Sequence, residues 1–239
     1  MKILILFLVL SVASVAVSDP GLVLIHYDSY GGYGEAVLDA AYNIWPSATI
    51  LPVLDDWPLF NNALTTGPYD IIVLENWNVN TDDCDWATLN TIYTTSDTRI
   101  FLSDWKFSSG GTGVQTLMNT MGASSAEPIS SGVIPHYAWE PTHAICTGIA
   151  DWSWMDPGLG TLNNKLTVSD AVPVTGWSAS PAAGEAAICV ANDGRSVISG
   201  FTPAYATEAQ AIWENILIFM WDNGSALQQG TWGSIKASF

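Results

Sequence analysis

The sequence predicts an α/β protein: a doubly wound, mostly parallel sheet with helices on both faces and a C-terminal antiparallel hairpin added to it. Three observations predict this. The run Ile71-Ile-Val-Leu74 has no polar alternation, so both of its faces must be covered, as in parallel sheets flanked by helices. Three other apolar runs end in Asp28, Asp55 and Asp104, and each carries an aromatic residue within two positions of the acid. Segments of helical spacing follow all four runs, and such repeated β-then-α units imply right-handed crossovers and a parallel sheet.

The N-terminus reads as an export signal. Met1-Lys2 precedes an apolar stretch over 3–17, and Ala16-Val17-Ser18 places small residues where a signal peptidase would cut before Asp19. That stretch is shorter than the ~20 residues a helix needs to span a bilayer. The expected organisation is a signal peptide over 1–18, a single domain over 19–221 and a polar tail over 222–239. The mature protein is then secreted or at the cell surface, with no stable membrane insertion.

The first strand runs from Leu22 to Asp28, and the loop Ser29-Tyr-Gly-Gly-Tyr-Gly34 leads into a helix over 35–45 with Ala36, Val37, Ala40, Ala41 and Ile44 at helical spacing. The loop lacks the G-x-G-x-x-G order and a phosphate-binding Lys, so its glycines serve turn geometry. The second strand, 49–54, passes through Asp55-Asp-Trp-Pro58 into a helical turn carrying Leu59, Phe60 and Leu64. The third, 69–77, is followed by a polar loop in which Asp82 or Asp85 caps a helix over 86–94. That loop lacks the spacing, glycine and terminal Glu of an EF-hand, so capping is preferred to calcium binding. A fourth strand, 98–103, leads to a glycine-rich loop and a helix over 114–121. Residues 123–141, rich in Ser, Gly and Pro, read as an irregular excursion. Strands follow at 165–168, 186–191 and 195–200, the last two joined by the hairpin turn Asn192-Asp-Gly194, and a helix over 207–221 packs back on the sheet.

Composition narrows the function. With 23 acids against six basic residues the formal charge is −17, which repels phosphate backbones and argues against nucleic-acid partners. Neutral or cationic partners are favoured. Three cysteines cannot build a disulfide framework. Cys146 and Cys189 lie in apolar surroundings, and Cys84 sits in an acidic loop that disfavours a thiolate.

The segments Asp28-x-Tyr-Gly-Gly, Pro68-Tyr-Asp-Ile-Ile-Val-Leu, Thr142-His-Ala-Ile-Cys-Thr-Gly148-Ile and Gly194-Arg-Ser-Val-Ile-Ser-Gly200-Phe, in this order, resemble the class I glutamine amidotransferase-like superfamily, nearest to its ThuA-like branch. The resemblance covers about 21–221 and implies a flavodoxin-like fold. Catalytic members of that superfamily place a cysteine on an elbow directly after a strand and a histidine, with a nearby Glu, after a late strand. Here the elbow reads Leu102-Ser-Asp-Trp-Lys-Phe and the late strand is followed by Phe201-Thr-Pro-Ala-Tyr. The resemblance therefore implies a domain without the catalytic pair.

In open α/β sheets ligands bind outside the carboxyl ends of the strands. That rule gives Asp28, Tyr30, Trp57, Glu75, Trp77, Asp104 and Trp105 as the candidate ligand-binding residues. The chain has 12 tryptophans, and flat rings beside acceptor carboxylates suit sugars. The competing role for the indoles is a small core under the loops. Glu75 and Asp104 are also the candidate catalytic residues, as the paired carboxylates of a hydrolase, with helix capping or amide binding as their alternative role. His26 reads as a core imidazole, His143 as structural, and His136 as the freest of the three. No His-x-x-x-His or Cys-x-x-Cys pair suggests a metal, and no cofactor is expected. The expected function is a secreted, non-catalytic binding or cell-surface domain with a carbohydrate-type ligand; the alternatives are a carbohydrate-active hydrolase and a structural envelope protein.

Overall fold

The computed structural model describes residues 18–28, 34–77, 79–109, 111–129, 133–149, 151–155 and 163–222. The expected signal peptide as far as residue 17, the polar tail beyond Asp222 and Tyr30 lie outside the described residues. The strands are β1 (Leu22–Tyr27), β2 (Thr49–Leu54), β3 (Ile71–Asn76), β4 (Arg99–Asp104), β5 (Ala123–Ile129), β6 (Val133–Ala138), β7 (Asp151–Met155), β8 (Asn163–Val168), β9 (Val172–Gly176), β10 (Ala186–Val190) and β11 (Val197–Ser199). The helices are α1 (Ala36–Ile44), α2 (Trp57–Leu64), α3 (Trp86–Thr95), α4 (Thr112–Thr120) and α5 (Ala209–Asp222). No helix among the described residues is long and apolar enough to cross a membrane.

One half of the sheet is parallel, in the order β2-β1-β3-β4-β11. The chain runs outward from β1 to β2 and then returns to β3, so the strand order reverses at β1. The apolar pleat of β1, β3, β4 and β11 is buried on both sides, while the edge strand β2 is largely exposed. Val73 and Phe101 point into a core with Val37, Ala41, Trp213 and Leu217, from α1 and α5. Leu74 and Leu102 point into a second core with Phe60, Leu89 and Val114, from α2, α3 and α4. Helices on both faces follow from that arrangement. Asp85 starts α3 as expected, its Oδ1 accepting from Thr88 N at 3.0 Å, and Asp56 also starts a helix, its Oδ1 accepting from the Leu59 amide at 2.8 Å. Asp82 does not cap α3; it accepts from Gly111 N at 3.0 Å.

The edge strand β2 is protected by its own sequence. Thr49 N donates to Gly21 O and Asp55 N to Tyr27 O, so the odd-numbered amides face β1 and the even-numbered positions face outward. Pro52 occupies the central outward position and has no N–H to offer a further strand.

Beyond β11 the sheet continues antiparallel through β10, β9, β6 and β7, with β8 pairing β10 and β5. The expected hairpin is present, with Val190 opposite Val197 and Gly194 at φ +71° in the turn. The extension is larger than that hairpin. Residues 123–141 are not an irregular excursion, because β5 and β6 form there; β7 and β9 were likewise not expected. Their Ser, Pro and acidic residues carry little strand propensity, and long-range pairing supplies the order.

Candidate functional site

The carboxyl ends of the parallel strands gather Asp28, Asp55, Asn76, Asp104 and Phe201 along one rim, and the pleat divides that rim. The β3–β4 register sets Glu75 opposite Ser103 and Asn76 opposite Asp104. Glu75 therefore leaves the sheet on the side of Val73 and the α1/α5 layer, whereas Asp104 leaves it on the side of Leu102 and the α2–α4 layer. The two carboxyl groups do not face one crevice. This overturns the paired-carboxylate reading: adjacent strand ends were the right place, but a one-residue offset sends the side chains to opposite faces.

On the α2–α4 side Asp104 is the centre of a buried cage. Its Oδ2 accepts from Asn76 Nδ2 at 2.6 Å, and its Oδ1 accepts from Thr81 Oγ1 at 2.8 Å and from Lys106 N at 2.7 Å. Burial pushes its pKa up to about 6, against the opposing pull of these hydrogen bonds and of the Lys106 charge. Asn76 Nδ2 also reaches Val79 O at 3.2 Å, so the cage fixes the loop after β3. Trp105, the next residue, is half-buried and packs against the α1/α5 core; its Nε1 donates to Val79 O at 3.3 Å, and Lys106 Nζ stands 4.6 Å from its ring centroid.

On the α1/α5 side Glu75 is fully buried. Its Oε1 accepts a long bond from Ala204 N at 3.4 Å, and its Oε2 has no hydrogen-bond partner among the described residues. Burial drives the pKa up to about 8; the Ala204 amide opposes this and the Asp28 charge adds to it. Asp28 is buried, and its Oδ2 accepts from Trp77 N at 3.2 Å. The next described residue, Gly34, closes against it: a Cβ there would lie 1.4 Å from the Asp28 carbonyl oxygen, so only glycine fits. Outside Ala204 an open groove of roughly 600 Å³ runs between the starts of α1 and α5.

The predicted rings mostly leave the rim. Trp57 stacks on His26 with centroids 4.2 Å apart and planes at 10°, and Trp77 packs on Tyr205 at 4.4 Å. Each is only 3% exposed, so both are core side chains and not open platforms. The large apolar area of an indole explains that preference. Among the predicted rings in the described residues, Trp105 is the one of intermediate exposure.

His26 is a core imidazole, its Nδ1 paired with Glu75 O at 3.1 Å and its pKa lowered to about 4 by burial. His143 is structural: its Nδ1 accepts from Ile145 N at the start of a short helical turn. His136 is not free. It is buried against Trp177 and Phe201, with Nε2 bonded to Thr175 Oγ1 at 2.6 Å and a pKa lowered to about 3 by burial.

The strand ends that hold cysteine and histidine in catalytic amidotransferases are neighbours here, since Ser103 pairs with Ser199. Ser103 Oγ donates to Phe201 O at 2.8 Å. All three thiols are buried, and burial raises the pKa of each, to about 11 for Cys146 and about 12 for Cys189. A nucleophilic thiol needs the opposite shift. Sequence reasoning missed Asn76, Thr81 and the groove residues Glu35, Asp39 and Glu208. Asn76 next to Glu75 was a usable signal, because neighbours on a strand serve opposite faces.

No protein-family profile matches the sequence, and no curated protein matches it. Solved structures do match the fold, and they define its class. The chain is similar to a protein from Thermoplasma acidophilum described as belonging to GMP synthase, with a TM-score of 0.55 and 12% identity over 91% of this chain and 98% of that one. It is similar to a ThuA-like protein from Bacteroides uniformis, with a TM-score of 0.50 and 10% identity over 87% of this chain and 92% of that one. A β-galactosidase from Bacillus circulans sp. alkalophilus matches with a TM-score of 0.54 and 11% identity, but over only 31% of its own length against 88% of this chain. At such identities the likeness is one of fold alone: an α/β domain with a mostly parallel sheet.

Proposed function

We propose that this chain is an exported, non-catalytic amidotransferase-like domain that binds a neutral, carbohydrate-type ligand at the corner formed by Trp105 and Lys106. One observation carries the non-catalytic part. At the strand ends where catalytic members hold their nucleophile and base, the Ser103 hydroxyl and the Asp104 carboxylate are engaged by the chain's own groups. The ligand part rests on the partial exposure of Trp105, the lysine over its ring, and an acidic composition that disfavours anions. Export is supported by the charged and apolar pattern of residues 1–18.

A glycan array followed by calorimetry tests the reading. Trp105→Ala is expected to weaken any sugar bound by about tenfold, the scale of a lost stacking contact. An array without a hit, or a hit that Trp105→Ala leaves unchanged, removes the carbohydrate ligand. Turnover of glutamine or of a glycoside by the purified protein removes the non-catalytic assignment.

A further inference from the structure

A cavity at the other end of the sheet from Trp105 goes beyond that reading. It measures about 240 Å³ and lies where the last turns of α2 and α3 meet the residues just before β3 and β4, walled by Leu64, Pro68 and Ile92. Its hydroxyl groups are all engaged. Thr65 Oγ1 donates to Asn62 O, Ser96 Oγ to Ile92 O and Thr98 Oγ1 to Tyr69 O, each at 2.7 Å, and Tyr69 OH donates to Ala63 O at 2.8 Å. No charged side chain among the described residues lines the cavity. An apolar occupant therefore suits it best. The volume falls below the ~300 Å³ at which small-molecule pockets begin, and matches one large side chain.

The described chain ends close by. Trp221, at the end of α5, lays its ring 4.4 Å from the guanidinium carbon of Arg99. Arg99 N donates to Asp70 O at 3.0 Å, and these two residues adjoin Thr98 and Tyr69 of the cavity wall. The chain thus leaves α5 at the end of the sheet that holds the cavity, on the opposite face. Residues 223–239 follow, with Trp232 ten positions beyond Asp222. Ten extended residues reach about 33 Å, enough to round the edge of the sheet.

Charge favours the same return. All 23 acids of the chain precede residue 223, and the one charged side chain after Asp222 is Lys236. Asp97 stands between the lining residues Ser96 and Thr98, and its fully exposed carboxylate touches only Arg195, at 3.4 Å, among listed ion pairs of the described residues. An acidic body attracts a tail that carries a cation and no acid.

We propose that the segment 223–239 folds back under the sheet and seats the Trp232 indole in this cavity, with Lys236 directed to Asp97. The tether makes a weak contact sufficient. A short linker sets an effective concentration of millimolar order, so a contact with a dissociation constant of about 1 mM is already half-formed.

Hydrogen exchange of the full chain, compared with Trp232→Ala, tests the seat. The variant is expected to exchange severalfold faster over residues 64–69 and 92–98 and at an unchanged rate over 186–199. Unchanged exchange at both cavity segments overturns the proposal. A proximity test stands beside it: Thr65→Cys with Thr231→Cys, oxidised mildly, should close an internal bridge about tenfold faster than Thr112→Cys with Thr231→Cys, whose partner lies at the opposite end of the sheet. Adding Trp232→Ala should remove that advantage. Equal rates for the two pairs, an advantage that survives Trp232→Ala, or a bridge that doubles the mass by joining two chains contradicts the seat within one chain. None of these outcomes bears on the Trp105 corner, whose failure would leave this cavity untouched.

Discussion

Glu75 and Asp104 are both buried acids with raised pKa values, but only one of them is saturated with hydrogen bonds. That difference has a measurable pH signature. Glu75 has a folded pKa of about 8 against an ordinary value of 4.5, so the folded state holds a proton that the unfolded state has lost. Stability is therefore greatest at low pH for this group and declines as pH rises through that window, by about 1.4 kcal/mol per pH unit. Asp104 acts in the same direction, but only up to about pH 6. His26 and His136, with pKa values lowered to about 4 and about 3 from 6.5, remove stability as pH falls below 6.5. Between pH 6.5 and 8 the decline belongs to Glu75. Urea unfolding is expected to show wild-type protein weakening across that interval and Glu75→Gln nearly flat; a variant that keeps the wild-type slope refutes the assignment.

At the level of elements, the edge strand yields the clearest expectation. Leu51 and Leu54 of β2 are 38% and 45% exposed, and the outward amide between them is missing because residue 52 is proline. Pro52→Val restores that donor on an exposed apolar edge. Light scattering at matched concentration should report a higher average mass for the variant, and an unchanged mass contradicts the protective role. The parallel half was legible in the sequence because its strands are uninterrupted apolar runs whose burial on both faces needs no partner to be recognised. The antiparallel half was not. Ala123-Ser-Ser-Ala-Glu-Pro-Ile129 has no alternation and no β-branched residue before Ile129, and β5 exists because β8 pairs with it. The site was legible in part for a related reason. Strand ends located Asp28, Glu75 and Asp104, but sequence spacing did not reveal that Glu75 and Asp104 leave opposite faces or that Trp57 and Trp77 turn inward.

For the molecule as a whole, the sheet acts as a partition. It carries the hydrogen-bonded Asp104 carboxylate on one side, and an unsaturated Glu75 carboxyl group on the other. The central claim is that Asp104 is scaffold at the strand-end rim, holding Asn76, Thr81 and the Lys106 amide in place. The global unfolding free energy of Asp104→Ala at pH 8, measured by urea denaturation, tests this most directly. Removing a buried, ionised carboxylate whose pKa is raised to about 6 would by itself stabilise the fold, as expected for a residue kept for catalysis. Losing the acceptor for Asn76, Thr81 and Lys106 N does the reverse. The account predicts a net loss of about 3 kcal/mol; a variant as stable as wild type, or more stable, would contradict it.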